Sequence, residues 1–138
     1  MSVLLDTSVL VAAANPQDRN ASRAVEIFKE ISAGGHGAPF LSDYVVDEAL
    51  TLAWVRTKRS KAVLQLADWL LAPEPRRRPG HLVFVGDDAF GDAAQLHRRH
   101  HARLSFTDCT SLAVMTGLRI DQIATFEAGF DGLVGVLR

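Results

Sequence analysis

The chain has 138 residues, of which 48% are hydrophobic and 22% are charged. This composition is typical of a globular domain large enough to bury a core, and it excludes a disordered tail or a collagen-like fibre. Fifteen Lys and Arg residues oppose sixteen Asp and Glu residues, which gives a formal net charge of −1. Any binding of nucleic acid must therefore come from local basic patches.

The single cysteine, Cys109, excludes an internal disulfide framework and a cysteine-based zinc site, and it fits a reducing compartment. The amino-terminal segment has neither a basic start nor a long apolar run, so no signal peptide is expected. No stretch reaches the roughly 18 uninterrupted apolar residues of a membrane span. These features predict a cytoplasmic protein that does not associate with a membrane.

The amino-terminal part of the chain alternates short apolar runs with helical patterns. Asp6, Thr7 and Ser8 follow the first apolar run, where a strand is expected to turn into a helix. Asn20 can cap the next segment, whose apolar residues recur at helical spacing until a glycine-rich stretch ends it. The predicted elements are a strand at 3–5, helices at 9–14 and 20–33, and a strand at 40–41.

Residues 42–72 predict a helical hairpin. Ser42 can cap a helix that runs to about Arg59, and Ser60 can cap another that runs to Ala72. The hairpin carries more apolar positions than are needed to cover one face of a sheet, and such a surplus indicates an interface with another chain.

The remainder of the chain returns to short apolar runs separated by helical patterns, after a proline-rich loop that contains Arg76, Arg77 and Arg78. The alternation favours an α/β fold with a mostly parallel sheet, and no shift in composition marks a second domain. The predicted elements are a strand at 82–85, helices at 87–100 and 107–116, and strands at 123–126 and 133–136.

Three acids lie where a predicted strand ends or where the next helix starts. Asp6 follows the first strand, Asp108 begins a helix, and Glu127 directly follows the strand at 123–126. In open α/β sheets the functional residues lie beyond the carboxyl ends of the strands. Each acid could instead be an ordinary capping or loop residue.

A fourth candidate, Glu48, lies within the helix that follows residues 40–41. At about 100° per residue it lies beside the apolar stripe of that helix, where a long side chain can reach a neighbouring cleft. Asp47 points nearly opposite the stripe, and Asp43 lies in the first turn, where the helix dipole already accounts for it.

Four carboxylates that converge on one cleft repel one another, so their negative charge must be offset. Two unit charges about 4 Å apart repel each other by about 4 kcal/mol at an effective dielectric of about 20. Oxygen-only ligands suit Mg²⁺ or Mn²⁺, and a Mg²⁺ site usually keeps waters that substrate phosphate oxygens can replace. Convergence of the acids would therefore predict metal-assisted hydrolysis of phosphodiesters.

Four motifs, in this order and spacing, give the chain a resemblance to the PIN domain family, and within it to VapC-type toxins. They are Asp6-Thr7-Ser8 after an amino-terminal strand, Glu48 early in a helix, Thr107-Asp108-Cys109-Thr110-Ser111 at a helix start, and Ala124-Thr125-Phe126-Glu127 near the carboxyl end. The resemblance covers essentially the whole chain. It implies one PIN-like domain over residues 1–138, with a three-layer α/β fold and a mostly parallel central sheet flanked by helices.

The resemblance also implies an endoribonuclease, the toxin of a type II toxin–antitoxin pair, that cleaves RNA with Mg²⁺ or Mn²⁺. It implies a homodimer and a VapB-type antitoxin partner. The residues that match the family's catalytic and metal-binding acids are Asp6, Glu48, Asp108 and Glu127. The fourth acid is usually Asp in this family, so Asp131, four residues after Glu127, is the alternative.

Other polar residues have supporting roles under the same interpretation. Thr7 and Ser8 would support the acids, and Thr107 would cap its helix or orient Asp108. Two alternative functions stay open: an RNA-processing nuclease without an antitoxin, and a PIN-like module that binds RNA or protein without cutting it. The candidate RNA contacts, which are equally compatible with a solvated surface, are Arg56, Arg59, Arg76 and Arg77.

Overall fold

The computed structural model describes residues 1–138 and contains a central sheet of five parallel strands in the order β3-β2-β1-β4-β5. Neighbouring strands are parallel throughout, so the predicted α/β class with a mostly parallel sheet is confirmed. The strands are β1 (Ser2–Leu5), β2 (Ala38–Ser42), β3 (His81–Val83), β4 (Gln122–Ala124) and β5 (Gly135–Leu137).

Six α-helices connect and cover these strands. None of them is long and apolar enough to span a membrane. Short 3₁₀ turns lie at Pro75–Arg77 and Ala128–Phe130. The helices are α1 (Thr7–Ala14), α2 (Ala21–Ser32), α3 (Asp43–Thr57), α4 (Ser60–Leu70), α5 (Asp87–His100) and α6 (Phe106–Leu118).

The central strand β1 is buried on both faces, which explains its continuous apolar sequence. Successive side chains of a strand point to opposite faces, so Val3 and Leu5 pack with α1 to α4, whereas Leu4 packs with α5 and α6. Two hydrophobic cores therefore lie on either side of the sheet. This arrangement confirms the three layers that the resemblance implied.

Several elements begin or end at residues other than the predicted ones, because hydrogen bonds at these positions fix the bounds of each element. Lys58 adopts a left-handed conformation, with φ 52°, and its N–H bonds to the Trp54 carbonyl, so α3 ends before Arg59. The prediction that Ser60 caps α4 is wrong, because Arg59 occupies the cap position and Ser60 is already helical. The strand predicted at 123–126 ends at Ala124, where pairing with β1 stops.

Candidate functional site

Asp6 lies at the carboxyl end of β1, where the chain turns into α1. Its backbone N–H donates to the Ala124 carbonyl at 3.0 Å, which extends the pairing of β1 with β4 by one residue. The residue is 1% exposed, so the tight junction places a carboxylate inside the protein at the edge of the sheet.

The two oxygens of the Asp6 carboxylate have different surroundings. Oδ2 accepts hydrogen bonds from Thr125 Oγ1 at 2.6 Å and from Ser8 Oγ at 3.0 Å, whereas buried Oδ1 has no partner. Burial raises the pKa of Asp6 from its ordinary 3.8 to about 6, and the negative charge of Asp108 adds to this increase. The hydrogen bonds from Thr125 and Ser8 act in the opposite direction.

Glu48 is partly buried on α3 and is held by a hydrogen bond from the start of α1. Its Oε2 accepts a hydrogen bond of 2.7 Å from Thr7 Oγ1 at the start of α1. The other acids of α3 have different environments: Asp47 is exposed, and Asp43 Oδ1 accepts the backbone N–H of Val85. The angular argument from the sequence thus selects the one acid of this helix that contacts the α1 junction.

Asp108 has a structural role in addition to its place in the site. Its Oδ2 accepts the Ser105 N–H at 2.9 Å while Ser105 Oγ accepts the Asp108 N–H at 3.0 Å, which forms a reciprocal capping box at the start of α6. Burial raises the pKa of Asp108, and the hydrogen bonds from Ser105 partly counteract that effect. The second carboxylate oxygen takes no part in the cap.

The prediction that Thr107 caps this helix is wrong, because Ser105 occupies the cap position. The Thr107 carbonyl accepts a hydrogen bond from Thr110 Oγ1 instead. The Ser-x-x-Asp spacing of Ser105 and Asp108 was the sequence signal for this arrangement, since it resembles a capping box. Ser105 is therefore the residue that orients Asp108.

Glu127 lies three residues beyond β4 rather than directly after it. Its backbone N–H donates to Thr125 Oγ1 at 3.0 Å, and its side chain is exposed. Asp131 is instead an ion-pair partner of Arg138, and its carbonyl accepts a hydrogen bond from Arg103 at 2.8 Å. The hydroxyl of Thr125 thus bonds to Asp6 and to the backbone of Glu127, a role that sequence reasoning did not assign.

All four predicted acids line one cavity of about 150 Å³ at the carboxyl edge of the sheet, which we call the acid cavity. Asp131 is not among its lining residues, and neither is Thr107. One cation, the side chain of Arg56, also lines it. The full set is Asp6, Thr7, Ser8, Glu48, Leu52, Arg56, Ser105, Asp108 and Glu127.

The chemistry of the acid cavity fits a hard divalent cation. Its charged donors are carboxylate oxygens, and Asp6 contributes an unpartnered oxygen that is completely buried. No three acidic, histidine or cysteine side chains lie close enough together to hold one ion as they stand. Carboxylates that repel one another are expected to remain apart until a cation offsets their charge.

The predicted basic contacts are distributed unevenly around the site. Arg56 lines the acid cavity, and its guanidinium lies 3.9 Å from Asp18. Arg76 forms an ion pair with Glu74 on a loop, where its side chain is 88% exposed. Arg59 and Arg77 likewise do not line the acid cavity, which leaves Arg56 as the predicted basic residue beside the acids.

Comparison with known proteins relates the whole chain to one family. A model of the PIN domain family matches residues 3–135, and no curated protein sequence matches. The structure resembles VapC20 of Mycobacterium tuberculosis, a toxin that cleaves the sarcin–ricin loop, with 26% identity and a TM-score of 0.77. That alignment covers 95% of this chain and 94% of the other.

Two further structures share the fold at lower identity. FitAcB of Neisseria gonorrhoeae is 20% identical with a TM-score of 0.70, over 99% of this chain and 96% of the other. VapBC2 of Rickettsia felis, solved with a DNA fragment from its promoter, is 13% identical with a TM-score of 0.66, over 99% and 98% of the two chains. With the family match over residues 3–135, these likenesses show that the chain belongs to the PIN domain family and has the fold of VapC-type toxins.

Proposed function

We propose that this protein is a metal-dependent endoribonuclease and the toxin of a type II toxin–antitoxin pair. The observation that carries the proposal is the convergence of Asp6, Glu48, Asp108 and Glu127 on one cavity, with a buried carboxylate oxygen left unpartnered. The similarity to VapC20 along 95% of the chain supports RNA as the substrate. The proposed place of action is the cytoplasm, a reducing compartment that suits the free Cys109.

Mg²⁺ or Mn²⁺ would be held by Asp6 and Asp108, with Glu48 and Glu127 as the further acids of the site. When bound, such an ion neutralises charge on a phosphate and lowers the pKa of a water molecule. The proposed assignment uses carboxylate oxygens that no structural contact occupies. Asp6 Oδ1 has no partner, and the hydrogen bonds of Asp108 to Ser105 use only one of its two oxygens.

Neighbouring hydroxyl groups keep these carboxylates in fixed orientations. Thr7 holds Glu48, while Ser8 and Thr125 hold Asp6 Oδ2. Partners of this kind orient metal ligands and are costly to remove. Arg56 supplies positive charge beside the acids, where an RNA phosphate would lie, and more distant contacts would come from surface arginines such as Arg59, Arg76 and Arg77.

The direct test is cleavage of RNA by the purified protein under control of the metal. We expect cleavage with Mg²⁺ or Mn²⁺, complete loss in excess EDTA, and recovery when either ion is restored, with products resolved on a denaturing gel. Undiminished cleavage in excess EDTA would contradict metal dependence. Binding of RNA with no cleavage under any of these conditions would favour a non-catalytic module.

The proposed assembly is a homodimer that binds an antitoxin at the acid cavity. Within residues 42–72 the structure leaves large apolar side chains exposed, in keeping with an interface between copies. An Arg or Lys of the antitoxin would offset the repulsion among the acids, as the metal does. The exposed apolar side chains are Trp54, Val55, Leu64 and Leu71.

Expression of the protein alone is expected to arrest growth, and co-expression of its antitoxin is expected to restore it. Light scattering of the purified protein should give the mass of a dimer at micromolar concentration. Asp108→Asn serves as the matched control, because it should express without arresting growth. A monomeric mass in light scattering would contradict the proposed homodimer. Harmless expression of the intact protein in a host without the antitoxin would contradict the toxin assignment.

A further inference from the structure

A second polar cleft of about 420 Å³ lies directly beside the acid cavity. We propose that this flanking cleft binds the nucleotide next to the scissile phosphate, with arginine for its backbone phosphate and side-chain amides for its base. The proposal rests on the ribonuclease function proposed above. Besides the residues that it shares with the acid cavity, the flanking cleft is lined by Asn15, Gln17, Asp18, Arg19, Asn20 and Phe126.

The flanking cleft adjoins the acid cavity. Ser8, Arg56 and Glu127 line both spaces and form the border between them. A strand with one phosphate among the acids must leave the cavity through a neighbouring opening. A volume of about 420 Å³ lies within the range of about 300–1,000 Å³ that is typical of small-ligand sites, which is enough for one nucleotide.

Two arginines line the flanking cleft, and one of them is free to contact a phosphate. Arg19 is exposed and makes no ion pair or side-chain hydrogen bond, while Arg56 lies on the border between the two spaces. The cleft also contains two acids: Asp18 lies largely buried beside Arg56, and Glu127 belongs to the border with the acid cavity. Arg19 is therefore the charge that remains free for a ligand, and it favours an anion.

Two of the three side-chain amides that line the flanking cleft, those of Gln17 and Asn20, are free to read a base. Asn20 makes no capping hydrogen bond with its side chain, although it occupies the cap position. The side-chain amide of Gln17 likewise has no partner, because only its backbone N–H is used, by Asn15 Oδ1 at 3.1 Å. The half-buried ring of Phe126 offers an apolar face of the kind on which unpaired bases stack.

The loop that carries these amides is ordered by its own contacts. Asp18 Oδ1 accepts the Asn20 N–H at 2.8 Å, and the Asp18 N–H donates to the Asn15 carbonyl at 2.9 Å. Asn15 and Asp18 therefore use side-chain oxygens to hold the backbone, while Gln17, Arg19 and Asn20 present unused polar groups. This division of roles favours a preformed binding site over an unstructured surface loop.

The test measures binding without cleavage, by fluorescence anisotropy of a short labelled single-stranded RNA of mixed sequence in EDTA. Arg19→Gln should weaken binding roughly three- to tenfold and reduce the slope of log affinity against log salt by about 0.7, the loss of one phosphate contact. The matched control is Arg119→Gln, which removes the same charge at the other end of α6, beyond the amino edge of the sheet. It should match the wild type.

Asn20→Ala tests the amide readout. Because its side chain does not cap α2, the melting temperature should stay within about 2 °C of the wild type, and the salt slope should not change. The pattern of cleavage sites should change instead, as read by sequencing of products made with Mg²⁺.

If Arg19→Gln and Asn20→Ala both behave like Arg119→Gln, the flanking cleft does not bind the substrate strand. If the two cleft variants bind the antitoxin more weakly but keep the RNA affinity of the wild type, the proposal is also overturned, and the flanking cleft is assigned to the antitoxin. If the wild type cleaves no RNA but the affinity differences persist, the ribonuclease function fails while the RNA subsite stands.

Discussion

Replacing Asp108 with asparagine is expected to lower RNA cleavage by at least about a hundredfold and to leave the fold intact. The change removes one carboxylate charge from the acid cavity, where a cation must be held. Asparagine can still accept the Ser105 N–H through its side-chain oxygen, so the capping box at the start of α6 is kept in part. Since burial raises the pKa of Asp108, removal of its charge should hold or raise the melting temperature.

Cleavage is measured on the same RNA with Mg²⁺ and with Mn²⁺, and circular dichroism checks the fold. Asp131→Asn is the matched control, because Asp131 pairs with Arg138 outside the acid cavity and should be dispensable for cleavage. Glu127→Gln should reduce cleavage, since Glu127 lines the cavity. Equal cleavage by Asp108→Asn and the wild type would refute the metal mechanism. Loss of cleavage in Asp131→Asn but not in Glu127→Gln would show that Asp131, and not Glu127, is the fourth acid.

The sequence was sufficient to predict the fold because its strands are short, apolar and separated by helical patterns. Burial on both faces gives β1 an uninterrupted apolar run, and a parallel sheet requires helical connections. The ends of the elements were harder to predict, since they depend on contacts between distant segments. Phe126 fits a strand by composition, yet the strand stops at Ala124 because the partner strand β1 ends at Leu5.

The candidate site likewise contains features that follow from local sequence and features that depend on contacts between distant segments. The acids could be selected from local position, at strand ends and on the flank of a helix, and the structure brings all four to one cavity. Thr7 and Ser8 were predicted to support the acids, but the acid that each one holds, and the role of Thr125, could not be predicted, because Thr7 with Glu48 and Thr125 with Asp6 are pairs from separate elements. A threonine has many ordinary roles in a sequence, and only the packing of α1 against α3 and β4 shows which ones bind a carboxylate.

Buried, unpaired charge links this geometry to stability, with Asp6 as the main contributor. Burial of the Asp6 carboxylate costs free energy only when the group is ionised. In the folded protein it ionises around its pKa of about 6. Below about pH 4 the group is protonated in both the folded and unfolded chains, so it costs little. As the pH rises towards 6 the unfolded chain ionises first, and the metal-free protein should lose stability.

Asp6→Asn is therefore expected to make the metal-free protein more stable at neutral pH, by up to about 3 kcal/mol, the free energy that corresponds to a pKa raised from 3.8 to about 6. Urea unfolding in EDTA, at several values between about pH 4 and pH 7, measures the effect. The wild type should lose stability relative to the variant across that range. Asp68→Asn, an exposed change on α4, should follow the wild type.

Mg²⁺ or Mn²⁺ at neutral pH should stabilise the wild type and leave Asp6→Asn nearly unchanged, because the cation offsets a charge that the variant lacks. This comparison separates the electrostatic explanation from a packing effect, since improved packing would raise stability equally at every pH and would not depend on metal. Parallel stability curves for the wild type and Asp6→Asn from about pH 4 to pH 7 would show that Asp6 does not carry a buried, uncompensated charge.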